Sequence, residues 1–173
     1  MNFSKLKESI LRKKFQKTLI NLPEVSPVSM SVIKTVGILT TDEISSNIDF
    51  KKEIELVFGL RHSKIYSFRK FDKNDSISYK HFSEKDLNWQ GDFVQQNIKV
   101  FLEEPFDLLI GFFESNHLYL EKAVMFSAAS FKVGISGVNP KLYSLEISET
   151  TYQIQSFLRE LKRYLEILKK VKN

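Results

Sequence analysis

Cysteine is absent from the chain, and histidine, glycine, proline and tryptophan are scarce: three His, six Gly, four Pro and one Trp in 173 residues. Without cysteine there is no disulfide, no thiolate metal site and no thiol nucleophile, and a reducing compartment is the natural setting. The three histidines, His62, His81 and His117, stand far apart and carry no metal-ligand spacing, so no metal is expected. The few glycines form neither a Walker A pattern nor G-x-G-x-x-G. "GISG" at residues 134–137 is too short to cradle a phosphate with backbone N–H groups, and no cofactor is expected. Apolar runs reach only about six residues, as in "FDLLIGFF", too short to span a bilayer, and the N-terminus lacks a signal-peptide core. A cytoplasmic location is therefore expected.

What is present is enough for one packed domain. Hydrophobic residues make up 42% of the chain and include fifteen Phe, each worth roughly 1.5 to 3 kcal/mol when fully buried. The net charge of +5 is unevenly spread. Residues 1–20 carry Lys5, Lys7, Arg12, Lys13, Lys14 and Lys17 against Glu8 alone. Residues 158–173 carry Arg159, Lys162, Arg163, Lys169, Lys170 and Lys172 against Glu160 and Glu166, and the middle is acidic. Two basic helices flanking an acidic body fit either ordinary solvated faces or docking of an anionic partner, RNA or an acidic protein surface ahead of a membrane. Lys5, Lys7, Arg12, Lys13, Lys14, Lys17, Arg163, Lys169 and Lys170 are the candidate partner contacts, and a terminal helix could also mediate a homodimer.

Periodicity places the elements. Phe3, Leu6, Ile10, Leu11, Phe15 and Leu19 make one apolar stripe of a first helix, and Pro23 and Pro27 break the pattern after it. The expected organisation is a basic helical arm over 1–22, a linker over 23–31 and an α/β domain over 32–173. "SVIKTVGILT" reads as a strand, "FKKEIELVFGL" as a helix capped at Gly59, and "SKIYSFRKF" as a second strand. Residues 72–91 are polar, irregular and long for a loop, and hold Trp89, which either pins the loop to the core or stacks on a ligand. "DFVQQNIKVFLEE" is helical, "FDLLIGFF" a strand buried on both faces, "LYLEKAVMFSAAS" a helix and "FKVGIS" a strand. "LYSLEIS" is a fifth strand whose connection is short for a parallel crossover, leaving its direction open. The last helix opens with Thr150 and Gln153 at capping-box spacing.

Strands alternating with helices imply a three-layer α/β sandwich of Rossmann or flavodoxin type, with about five mostly parallel strands between the basic N- and C-terminal helices. Ligands in such sheets sit beyond the carboxyl ends of the strands. That rule selects Thr40, Thr41, Asp42 and Glu43, then Glu114, Asn116 and His117, then Ser136, Gly137 and Asn139. A phosphoacceptor of receiver type is excluded, because Glu114 stands where an Asp is needed and "LYSLEIS" supplies no Lys. The same residues have a structural reading: Thr40 and Glu43 match a capping box, and Asn116 is a preferred N-cap type.

The stretches "FDLLIGFF", "FKVGI", "LNWQG" and "LRELKRYLEILKK" together resemble a family of small Bacteroidota proteins known only as a domain of unknown function, over most of the chain after the first helix. The resemblance implies a Rossmann-like α/β fold and a bacterial cytoplasm, and brings no activity or catalytic residues. The leading function read from the residues is a non-enzymatic binding or assembly module that docks an anionic partner with its basic helices; the alternative is a small-molecule enzyme or sensor holding a nucleotide or nucleotide-sugar at the strand ends. No complete catalytic motif decides whether the chain is an enzyme.

Overall fold

A computed structural model describes residues 2–23, 31–114 and 116–172. Six strands, β1 (Val36–Thr41), β2 (Ser63–Phe68), β3 (His81–Phe82), β4 (Leu108–Phe112), β5 (Lys132–Ile135) and β6 (Leu145–Ile147), form one sheet. They lie in the order β3-β2-β1-β4-β5-β6 and every pair is parallel. This is the strand order of a Rossmann sheet, and it reverses direction between β1 and β4. Val36 is in register with Ser63 on one side and Leu108 on the other, so β1 and β4 are the paired centre of the sheet. All five residues of β4 are buried, as its unbroken apolar run requires.

Helices α1 (Phe3–Ile20), α4 (Gln96–Glu103) and α5 (Leu118–Phe126) cover one face, where they meet Leu39, Leu109 and Phe113. Helices α3 (Phe50–Phe58) and α6 (Ile154–Ile167) cover the other, over Val36, Ile38, Leu108, Ile110 and Phe112. Alternation along the strands separates the two cores. Gly59 ends α3 at φ 67, the left-handed cap position that glycine reaches without a Cβ penalty. The expected linker lies outside the described residues except at its ends, 23 and 31. α1 is not a free arm: Leu11, Phe15 and Leu19 are buried in the same core as α4 and α5.

Several expectations are corrected. The polar stretch 72–91 contains a sixth strand, β3, and a 3-10 turn at Glu84–Asp86 capped by Ser83 and Asp86. Leu87 and Phe93 anchor this segment in the core, while the Trp89 side chain is exposed. β6 is parallel and forms the sheet edge despite its short connection. A 3-10 turn, Pro140–Leu142, replaces the usual crossover helix, and the buried Tyr143 ring fills its place against the sheet. A Cβ on Gly111 or Gly134, which are register partners, would come within 2.6 and 2.4 Å of that tyrosine. The glycine pair therefore forms a slot that lets a short crossover lie flat. At α6, Gln153 is the N-cap position and makes no side-chain cap bond, so the expected capping box is absent.

Candidate functional site

The point where strand order reverses opens a crevice of about 590 Å³ beyond the carboxyl ends of β1 and β4. Its walls come from three chain segments: Thr41 at the end of β1 with Glu43, Ile44 and Ile48, Phe113, Glu114, Asn116 and His117 after β4, and Thr151 and Tyr152 before α6 with Ile154 at its start. Parallel pairing sets this convergence, because it brings the ends of β1 and β4 to the same level. Thr40 is buried, and its hydroxyl donates to the Phe112 carbonyl at 2.6 Å, tying the two strands together just below the crevice. Thr41, not Thr40, caps the short helix α2 (Asp42–Asn47), its Oγ1 accepting the Ile44 N–H at 3.2 Å. The expected Thr40/Glu43 capping box is replaced by this single bond.

The turn after β4 is built differently from expectation. His117, not Asn116, is the N-cap of α5: its Nδ1 accepts the Leu120 N–H at 3.2 Å. Asn116 precedes it at φ 66, a left-handed conformation that asparagine tolerates better than most residues. The His117 ring lies edge-on to Phe68 at 4.6 Å and near Phe113 and Tyr119. Burial in this aromatic setting pushes the imidazole down to about 4, so it is neutral at physiological pH. With Nδ1 occupied as an acceptor, the proton resides on Nε2, which makes His117 a hydrogen-bond donor and not a cation. Across the crevice, Glu114 is exposed and accepts from the buried Thr151 hydroxyl at 3.3 Å.

The arrangement is a part-apolar cavity, floored by Ile44, Ile48, Phe113 and Ile154 and edged by two carboxylates, two amides, three hydroxyls and a neutral imidazole. Among the described residues that line it there is no Lys or Arg. Of the residues expected at one site, Thr41, Glu43, Glu114, Asn116 and His117 come together here. Asp42 turns the other way, its Oδ1 bonded at 2.7 Å to His81 Nε2. Ser136 is exposed beyond β5 and Asn139 precedes the 3-10 turn of the β5–β6 connection; neither lines the crevice, because β5 lies one strand away from the reversal point. Thr151, Tyr152 and Ile154 were missed, since only the return of the chain from the sheet edge brings them to the centre. No grouping of His, Asp and Glu suited to a metal ion occurs among the described residues.

The expected partner contacts scatter. Lys7 Nζ donates to the Leu87 carbonyl and Lys14 Nζ to that of Trp89 at 3.2 Å. Arg12 pairs with Glu8 at 2.9 Å, and Arg163 with Glu160. Lys170 is a correction outright: it is buried, with its ammonium 4.8 Å from the centre of the Phe131 ring. Lys5, Lys13, Lys17 and Lys169 are exposed. α1 and α6 lie on opposite faces of the sheet, so their charges do not merge into one surface.

A family model described as "Family of unknown function (DUF6913)" matches residues 7–168. The chain belongs to this family. The match takes in most of α1 as well as the sheet, so the first helix is part of the family's domain. No curated protein and no solved structure matches the chain.

Proposed function

We propose that this chain is a small-molecule-binding α/β protein whose ligand occupies the crevice between β1 and β4. The observation that carries the reading is the meeting of hydroxyl, amide, carboxylate and neutral imidazole groups over an apolar floor at the reversal point of a Rossmann sheet, where such folds bind ligands. The lining also speaks to ligand charge. Glu43 occupies the first turn of α2, where a dinucleotide fold would receive its pyrophosphate, and Glu114 faces the same space. Carboxylates there repel phosphate. The ligand is therefore neutral or cationic, with a ring or alkyl face for the floor and hydroxyl or amino groups for Glu43, Glu114 and Thr151. That makes a nucleoside, a free sugar or an amine a better fit than a nucleotide or nucleotide-sugar.

Docking of an anionic partner, RNA or an acidic protein, keeps one point of support, the exposed Lys5, Lys13 and Lys17 of α1. The opposite placement of α6 argues against it. The absence of cysteine fits a reducing, cytoplasmic setting. No helix among the described residues is long and apolar enough to cross a membrane. The test is a thermal-shift screen of the full chain against nucleosides, free sugars and polyamines, repeated on Glu114→Gln and Thr151→Val for each hit. A shift that falls in both variants supports the crevice. A shift that survives both, or a screen without hits alongside salt-sensitive RNA binding, overturns it.

A further inference from the structure

Outside the crevice, on the β3 side of the sheet, three side chains from two distant segments form a hydrogen-bonded line. Ser78 Oγ is 2.5 Å from His81 Nδ1, and His81 Nε2 is 2.7 Å from Asp42 Oδ1. Asp42 is held in the first turn of α2 and His81 opens β3. In the neutral imidazole, an ionised carboxylate accepts from Nε2–H, which leaves Nδ1 as the acceptor facing the Ser78 hydroxyl. This is the protonation pattern of a general base set against a hydroxyl nucleophile and oriented by an acid. The two ring nitrogens exchange the places they hold in serine proteases, but either imidazole nitrogen can take the proton.

A bond that merely stiffened the loop would need no substrate space beside it. Ser78 and His81 instead border a depression of about 240 Å³, shared with Arg69, Lys70 and Ser83. Ile77, next to Ser78, borders the same depression and is 91% exposed, an apolar group beside the hydroxyl for an acyl chain. We propose that Ser78, His81 and Asp42 form a nucleophilic relay, with Ser78 attacking carboxylic esters that carry an apolar acyl group. In the first half-reaction the Ser78 oxygen bonds to the ester carbonyl carbon while its proton passes to His81 Nδ1. The carbon–oxygen bond to the alcohol then breaks and the alcohol leaves with that proton. In the second half-reaction water, deprotonated by His81, attacks the acyl-serine, releases the acid and returns the proton to Ser78. Asp42 acts as the positioning residue, holding the tautomer throughout.

The experiment treats the full chain with an alkyl fluorophosphonate, whose phosphorus captures activated serines with loss of fluoride, and maps the adduct by peptide mass spectrometry. The expected result is an adduct at Ser78, absent in Ser78→Ala, with labelling slowed about 10²-fold in His81→Ala, the usual span of general-base assistance. Asp42→Asn keeps the shape of the orienting group and should slow labelling as well, so it answers the question if His81→Ala fails to fold. Rates are compared in variants whose unfolding midpoints match the wild type. No adduct at Ser78, or an adduct formed as fast in the folded His81→Ala or Asp42→Asn protein, overturns the relay.

Discussion

The two basic helices carry similar charge and are held in different ways. α6 turns Phe157, Leu158, Leu161 and Leu165 into the face it shares with α3, and its cations Lys162 and Arg163 pair with its own Glu166 and Glu160. α1 buries only Leu11, Phe15 and Leu19, and leaves Phe3 (67%) and Leu6 (42%) exposed. Its Lys7 and Lys14 reach out to carbonyls of the segment that contains Trp89. One helix thus pairs its charge internally, while the other uses part of it to clasp a loop on its own face of the sheet. Segment charge therefore does not measure available charge, and placement decides which cations a partner could meet.

The largest test of this comparison is in the core. Phe157 packs edge-on to Phe112 at 5.1 Å, and Phe157→Ala should cost about 3 to 5 kcal/mol by denaturant unfolding. If α1 is as much a part of the body as α6, Phe15→Ala should fall in the same range of about 3 to 5 kcal/mol. A loss below about 1 kcal/mol at Phe15 would restore the picture of an appended arm.

An intermediate effect is expected at His117, on the face that α1 covers. The unfolded imidazole takes up a proton near 6.5, whereas the buried one stays neutral down to about 4. The unfolded state therefore binds more protons between these values, so stability is full above the upper value and is lost as pH falls through the window. Asparagine caps a helix and does not titrate in this range, so His117→Asn should remove this acid sensitivity, about 2 kcal/mol once partial exposure is allowed for. In unfolding curves between pH 7 and pH 4, the wild type should lose about 2 kcal/mol relative to His117→Asn. Parallel curves would show that His117 protonates freely in the folded state. The smallest effect belongs to the exposed cations: Lys13→Glu with Lys17→Glu should change stability by no more than about 0.5 kcal/mol. If ligand binding in the crevice is the function, that double variant should also leave any small-molecule thermal shift untouched, whereas loss of the shift would bring α1 back into the account.

Much of the architecture was legible because it is written in local patterns. The apolar run of β4, the cap at Gly59 and the stripe of α6 each announce themselves within a dozen residues. What escaped depends on partners far along the chain. β3 is two residues long and exists only because Ser67 and Phe68 lie beside His81 and Phe82. The direction of β6 is settled by Tyr143 fitting over Gly111 and Gly134, a contact that no spacing reveals. At the site, five of the ten expected strand-end residues line the crevice because parallel strands deliver their ends together. Asp42 was assigned to the wrong side because a residue in the first turn of a helix faces one flank or the other, and its partner His81 is 39 positions away. Asn116 looked like a cap by residue type, yet its left-handed backbone passes that role to the next residue.

The central claim is that the crevice, with its carboxylates and no Lys or Arg among its described lining residues, is the binding site and sets the charge of what it binds. The most direct measurement compares thermal shifts for phosphate-free compounds and their phosphorylated counterparts, adenosine with AMP and glucose with glucose 6-phosphate among them, on the wild type and on the double variant Glu43→Lys with Glu114→Lys. The account predicts that wild-type shifts fall among the phosphate-free members of the pairs, and that the double variant weakens them and gains shifts for phosphorylated members. Wild-type shifts confined to the phosphorylated compounds, or a preference that the charge reversal leaves unchanged, would contradict it.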